Sequence, residues 1–157
     1  MTRWEVWKVI DGLTLRLVAG NEGLRAITFG EPESAISGGT DAHPVLRAAI
    51  EQLTAYFGGS LREFSLPLEI TGTDFQMRVW RSLREIPYGE TRTYRDLAIG
   101  LGQPTAVRAV GAANGSNPLP IVIPCHRVIG ANGKLVGYGG GLPLKKRLLE
   151  LERGLLW

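Results

Sequence analysis

The chain is poor in sulfur and imidazole: its 157 residues include one cysteine, Cys125, and two histidines, His43 and His126. One cysteine excludes an internal disulfide, and two histidines far apart in sequence cannot complete a Cys/His metal cluster. No metal site is expected, and a reducing, intracellular setting fits best. Long apolar runs are missing as well. No stretch approaches 18 apolar residues, and Arg3, Glu5 and Lys8 interrupt the amino terminus, so neither a membrane span nor a signal peptide is expected. The expected location is cytoplasmic, away from any membrane. Internal repeats and low-complexity tracts are absent too.

The apolar content of 44% is ordinary for a globular protein, and the length suits one core or two small lobes. The net charge of +3 hides an asymmetry: residues 1–70 carry a net −3 and residues 71–157 a net +6. The basic part is the part that holds Cys125. Such a charge permits a polyanionic partner without requiring one.

Trp4–Ile10, Leu13–Ala19 and Leu24–Phe29 are short, rich in β-branched and aromatic residues, and separated by Asp11-Gly12 and Gly20–Gly23, which predicts an antiparallel meander. Alternation in Leu13–Leu17 predicts leucines toward a core, with Thr14 and Arg16 toward solvent. Gly30–Thr40 reads as a surface loop. His43–Phe57 reads as a helix that buries Leu46, Ala49, Ile50, Leu53 and Phe57, with His43 at its start. Phe64–Ile70 is expected to be another strand, and Thr71–Asp74 a turn leading to a helix N-cap.

Beyond a lobe boundary near residue 70, Phe75, Val79, Leu83 and Ile86 share a helical face beside Trp80, and Pro87-Tyr88-Gly89 ends that helix. Thr91–Leu101 and Pro104–Asn114 read as two helices joined by Gly102-Gln103, a helix-turn-helix pattern. The second is almost all small residues around Arg108, which allows close backbone approach to a partner. Asn117–Pro120 reads as a stiff extended segment, Ala131–Lys134 as an Asn-Gly hairpin, Tyr138–Gly141 as a loop able to close over a ligand, and Leu142–Leu151 as an amphipathic helix.

Ile123–Gly130 is the chemical centre, because it sets Cys125 beside His126 between a rigid proline and an apolar pair. Arg127 adds positive charge favouring a thiolate, and Asn117 and Glu152 are available partners for a Cys/His/acid arrangement. Adjacent side chains on a regular helix point apart, so Cys125 and His126 communicate through a bend or through a water, and the sequence leaves both routes open.

The run Ile123-Pro124-Cys125-His126-Arg127-Val128, preceded by Arg108–Gly111 and Asn117-Pro118, resembles the signature of the O6-alkylguanine-DNA alkyltransferases. The likeness extends through Phe75-Gln76, Val79-Trp80, Ile86–Glu90, Thr93-Tyr94, Leu97-Ala98 and Tyr138–Leu142, and covers residues 73–153. The resemblance implies an α+β fold: residues 1–70 a small antiparallel sheet with a helix, residues 71–157 a mainly helical lobe with a helix-turn-helix (winged-helix-like) DNA-binding and active-site region. It further implies a suicidal DNA repair methyltransferase. An alkyl group passes from O6 of guanine to Cys125 in a single turnover; O4-alkylthymine as a second substrate is left open.

By the same resemblance, Cys125 accepts the alkyl group, His126 takes its proton through a water, Glu152 orients His126, Asn117 buttresses the cysteine turn, and Tyr94 assists the leaving guanine and turns the phosphate. The target base flips out of the duplex on the minor-groove side. Arg108 fills the vacated stack, Ala106, Val107, Ala109 and Gly111 lie against the groove, and Arg95 contacts phosphate. Pro120, Val128, Tyr138, Gly139 and Gly140 wall the base pocket. The implied partner is double-stranded DNA containing O6-alkylguanine, bound by a monomer, with cooperative binding left open, and no cofactor is implied. Two positions depart from the family: Ser116 replaces a basic residue common in relatives, and Gly139 replaces a serine found in some. Alkyltransferase-like proteins, which bind damaged guanine without repairing it, carry tryptophan in place of the acceptor cysteine. A thiol hydrolase is the other alternative.

Overall fold

The computed structural model describes residues 3–31 and 43–154. The chain divides into two compact units, Met1–Ile70 and Thr71–Trp157.

In the first unit, β1 (Trp4–Ile10), β2 (Leu13–Ala19) and β3 (Leu24–Gly30) form an antiparallel sheet in the order β1-β2-β3. Cross-strand partners share a face, so the register Val6↔Leu17↔Ile27 and Lys8↔Leu15↔Phe29 puts Val6, Leu15, Leu17 and Ile27 on one apolar side. Helix α1 (Pro44–Phe57) supplies Leu46, Ala49 and Leu53, each fully buried, to this unit's core. His43 caps it, its Nδ1 accepting from the Val45 amide at 3.1 Å. Tyr56 is buried where Ile50 was expected to be, and Ile50 is only half-buried. Thr14 is also buried, contrary to the alternation, because β2 is the central strand and its outer face is shielded from both sides.

The strand expected at Phe64–Ile70 is reduced to one parallel bridge between Leu24 and Leu68. Leu24 donates to the Pro67 carbonyl and accepts from the Glu69 amide, both at 2.8 Å, but Pro67 has no N–H with which to continue a ladder. The expected surface loop Gly30–Thr40 lies, beyond Glu31, outside the described residues.

The second unit begins with α2 (Asp74–Arg84), capped by Thr73 and Gln76, the backbone amide of each donating to the side-chain oxygen of the other. Two-residue strands β4 (Arg92–Thr93) and β5 (Val128–Ile129) pair in parallel. Helices α3 (Tyr94–Gly100) and α4 (Val107–Gly115) make the helix-turn-helix, and α5 (Leu142–Glu152) follows the loop that carries Tyr138. Both middle helices are shorter than expected. Thr93 belongs to β4 and caps α3, accepting from the Asp96 amide at 3.0 Å, and Pro104–Ala106 form turns ahead of α4. The buried Trp80 indole donates to the Ala113 carbonyl at 2.8 Å, pinning α2 to α4. The Asn132-Gly133 turn forms, with the Gly133 amide on the Gly130 carbonyl at 2.9 Å, but β5 before it pairs with β4 and no antiparallel strand pair spans the turn. Among the described residues, no helix is long and apolar enough to cross a membrane.

Candidate active site

Asn117–Pro120 does not run straight into the cysteine. It bends, and Ile121 takes a φ of 77°, a conformation that β-branched residues rarely adopt, while remaining 1% exposed. The Ile123 amide donates back to the Leu119 carbonyl at 2.8 Å. Pro124, with φ −80° and ψ 65°, centres an inverse γ-turn in which the Cys125 amide donates to the Ile123 carbonyl at 2.7 Å. The same carbonyl accepts Asn117 Nδ2 at 2.7 Å, while Asn117 Oδ1 takes the Leu119 amide at 2.9 Å. Both functions of one amide side chain therefore brace the turn before Cys125.

Cys125, His126 and Arg127 form a single 3-10 turn, all three buried. His126 Nε2 donates to Glu152 Oε2 at 2.7 Å. With its proton on Nε2, the neutral ring carries a lone pair on Nδ1, and that buried atom has no hydrogen-bond partner among the described residues. Arg127 Nε and Nη2 reach Oε1 and Oε2 of the same carboxylate at 2.8 and 3.0 Å, and its Nη1 donates to the Ile86 carbonyl at 2.7 Å. Gly89, held at φ 83° in the turn after α2, adds an amide on Glu152 Oε1 at 3.3 Å.

Burial works against the Glu152 carboxylate, but hydrogen bonds from His126 and Arg127 prevail and hold its pKa at about 2. Burial pulls His126 below its ordinary pKa, opposed by Glu152, so the ring is neutral at rest. Burial pushes the Cys125 thiol up, opposed by the Asn117 hydrogen bond and the charge of Lys145. The cation acting on the thiol is thus Lys145. Arg127, expected from the sequence in that role, is instead neutralised by Glu152 in a buried bidentate pair. The arrangement provides a protonated thiol, a neutral imidazole able to take its proton, and a fixed carboxylate to stabilise the resulting imidazolium.

The remaining expected residues lie as follows. Tyr94 opens α3, and its hydroxyl donates to the Val136 carbonyl at 3.1 Å. Burial, reinforced by Cys125, pushes this phenol up. Arg95, Arg108, Val107 and Ala109 are exposed, while Ala106 and Gly111 are half-buried. A Cβ on Gly111 would meet the Tyr94 ring at 3.9 Å, so α4 lies close against Tyr94. Pro120, Tyr138 and Gly140 are half-buried and Gly139 is exposed, whereas Val128 is fully buried in β5 and presents no solvent-facing wall. Ser116 is engaged locally, accepting from Gln76 Nε2 at 3.2 Å and donating to the Ala113 carbonyl at 3.0 Å.

Lys145 is the residue that the sequence reading passed over. It is fully buried, and its ammonium donates to the carbonyls of Val136 and Gly137 at 3.0 and 3.3 Å. A signal was present: Lys145, Leu148, Leu149 and Glu152 stand at i, i+3, i+4 and i+7, so the lysine shares the buried stripe with the carboxylate. Asn114, also buried, opposes the rise of the Tyr94 phenol and is a second residue that the sequence does not single out. Among the described residues, no group of three or more His, Cys, Asp or Glu side chains is placed to hold a metal.

Comparison with known proteins finds relatives over most of the chain. Residues 74–154 match the family described as 6-O-methylguanine DNA methyltransferase, DNA binding domain, and residues 14–70 match its ribonuclease-like domain. A methylated-DNA–protein-cysteine methyltransferase of Mycolicibacterium paratuberculosis is 57% identical over 121 residues, covering 77% of this chain and 73% of its own. One from Methanosarcina barkeri is 51% identical over 144 residues, covering 89% and 91%. Among solved structures, that of Mycobacterium tuberculosis OGT in complex with DNA superposes with a TM-score of 0.80 at 45% identity, covering 98% of this chain and 93% of the other. A lone cysteine on a braced turn, backed by histidine and glutamate beside a helix-turn-helix, is therefore found in a chain that belongs to the 6-O-methylguanine DNA methyltransferase family.

Proposed function

We propose that this protein repairs DNA by moving the alkyl group of O6-alkylguanine onto Cys125, once per molecule, after the damaged base has flipped out of the duplex from the minor-groove side. The observation that carries this reading is the buried His126–Glu152 pair at 2.7 Å, with a free lone pair on His126 Nδ1, next to the only thiol in the chain. The thiol proton passes through a water to Nδ1, and Glu152 stabilises the imidazolium. The thiolate sulfur then attacks the alkyl carbon. An S–C bond forms as the C–O6 bond breaks, and guanine keeps the electron pair and takes up a proton, with the Tyr94 hydroxyl as donor. The thioether has no hydrolytic exit, so the reaction is stoichiometric. Transfer from O4-alkylthymine would follow the same chemistry.

The exposed Arg108 on its small-residue helix supports the flipping step. Its guanidinium fills the vacated stack, while Ala106, Val107, Ala109 and Gly111 allow the helix close to the groove and Arg95 meets a phosphate. Unstacking one base costs on the order of a few kcal/mol, which these contacts offset. Pro120, Tyr138, Gly139 and Gly140 border the extruded base, and Val128 backs the pocket from within. Intact-mass measurement after incubation with duplex DNA containing O6-methylguanine tests the reading. A gain of one methyl group, absent in Cys125→Ala, is expected; an unchanged mass in the wild type would refute it.

A further inference from the structure

We propose that the turn after α2 is a positioning element for alkyl transfer: Tyr88 and Gly89 hold the Arg127–Glu152 pair in the arrangement that keeps His126 ready to accept a proton. The proposal rests on the reading of His126 as the base that receives the Cys125 proton. Groups from Ile86, Tyr88 and Gly89 converge on this one buried pair. The Ile86 carbonyl accepts from Arg127 Nη1 at 2.7 Å, the Tyr88 ring centroid lies 5.7 Å from the guanidinium carbon, and the Gly89 amide donates to Glu152 Oε1 at 3.3 Å. The turn is itself fixed. The Glu90 amide closes on the Pro87 carbonyl at 3.1 Å, and just beyond it Arg92 pairs with Val128, the residue that follows Arg127.

Gly89 cannot be exchanged for a larger residue without moving this contact. Its φ of 83° lies in the left-handed region, and a Cβ there would meet the Glu152 main-chain carbonyl at 3.3 Å. The amide, already 3.3 Å from Oε1, leaves hydrogen-bond range after a small shift. Donors are spread over both carboxylate oxygens: Oε1 takes Arg127 Nε and Gly89, and Oε2 takes Arg127 Nη2 and His126. Each donor held by main chain or by a permanent cation draws charge away from the bond to His126 and lowers the ring's affinity for a proton. Tyr88 adds to this, because its ring face attracts the guanidinium and covers it. The other ionisable groups of the site are Cys125 beside His126, Tyr94 on α3, Tyr138 in the loop before α5, and Lys145 on α5, which also disfavours the imidazolium. Within the turn, Glu90 is exposed and paired with Arg92 at 3.2 Å, so Tyr88 and Gly89 reach His126 through Arg127 and Glu152.

The test follows the His126 ring by NMR between about pH 4 and about pH 8, its signals assigned by comparison with His43→Asn. Gly89→Ala is expected to raise the His126 midpoint by about one pH unit, and Tyr88→Leu by about half a unit. Tyr88→Phe keeps the ring face and should restore the wild-type midpoint. Single-turnover methyl transfer from duplex DNA should slow about tenfold in Gly89→Ala on the acid side of the midpoint and change less than about twofold above it. A loss of rate that is equal at every pH, with the midpoints unmoved, marks a merely structural turn and overturns the proposal. Should Gly89→Ala not fold, Tyr88→Leu against Tyr88→Phe decides: a higher midpoint in the leucine variant supports the coupling, and equal midpoints overturn it. A wild type that never gains a methyl group would instead refute the acceptor reading and leave the His126 titration to judge the turn.

Discussion

Arg127 grips Glu152 with two parallel hydrogen bonds, Nε to Oε1 at 2.8 Å and Nη2 to Oε2 at 3.0 Å, and both side chains are almost wholly buried. The second of these oxygens is also the one that His126 Nε2 meets at 2.7 Å. One carboxylate is thus divided between a permanent cation and a switchable one. Burial does most to keep His126 neutral, and Arg127 assists by sharing the same carboxylate and repelling the imidazolium. The carboxylate orients the ring, and the ring stays neutral until the thiol proton arrives.

Replacing Glu152 by Gln removes the charge from this pair and leaves Arg127 buried without its anion. Loss of about 3 kcal/mol of stability is expected, as for other broken buried ion pairs, and single-turnover methyl transfer should slow by roughly 10²-fold, the scale of a general-base contribution. Urea unfolding and rapid-quench kinetics on a duplex substrate check the two effects separately. An unchanged transfer rate in a destabilised protein would reduce Glu152 to a structural role.

Acid should destabilise the fold in two stages. His126 has a folded pKa below its ordinary 6.5, so the unfolded chain binds the extra proton and stability falls as pH drops below that value. Glu152 is held at about 2 against an ordinary 4.5, so its contribution is complete above 4.5 and is lost as pH falls toward 2. The second stage amounts to about 3 kcal/mol. Denaturant titrations at a series of pH values would reveal both. A Glu152→Gln variant should lack the lower stage.

Arg108 is exposed on α4, so its removal should leave stability within about 0.5 kcal/mol. Arg108→Ala is expected to slow repair of O6-methylguanine in a duplex at least tenfold, since part of the few kcal/mol needed for flipping disappears. Reaction with a free O6-substituted guanine, which needs no flipping, should change less than about twofold. Equal losses on both substrates would place Arg108 in the chemistry instead.

Local signals were readable because they need no distant partner. The meander follows from turn residues between β-branched runs, and the start of α1 follows from His43 before Pro44. Phe64–Ile70 was misread because its pairing with Leu24 depends on a neighbour more than 40 residues away and is cut short at Pro67. In the site, the thiol and its histidine stand out as rare residues, whereas Glu152, one of 15 acidic residues, offers itself only as an available acid until the family resemblance gives it the role of orienting His126. Arg127 and Lys145 exchanged roles for a physical reason: closeness in sequence suggested that Arg127 serves Cys125, whereas the turn points it at Glu152 and α5 delivers Lys145 from 20 residues downstream. Val128 shows the same limit, since an apolar residue after the cysteine can face a pocket or back it, and only the pairing of β5 with β4 shows that it is buried.

Ile121 sets a limit on redesign. Glycine would relax its left-handed backbone and recover about 1–2 kcal/mol, but the isoleucine side chain is buried, and deleting it would open a cavity costing about 2–5 kcal/mol. The usual remedy for a strained residue is therefore a net loss here. Any stabilised version of this protein has to leave the approach to its nucleophile under tension and seek its gains elsewhere.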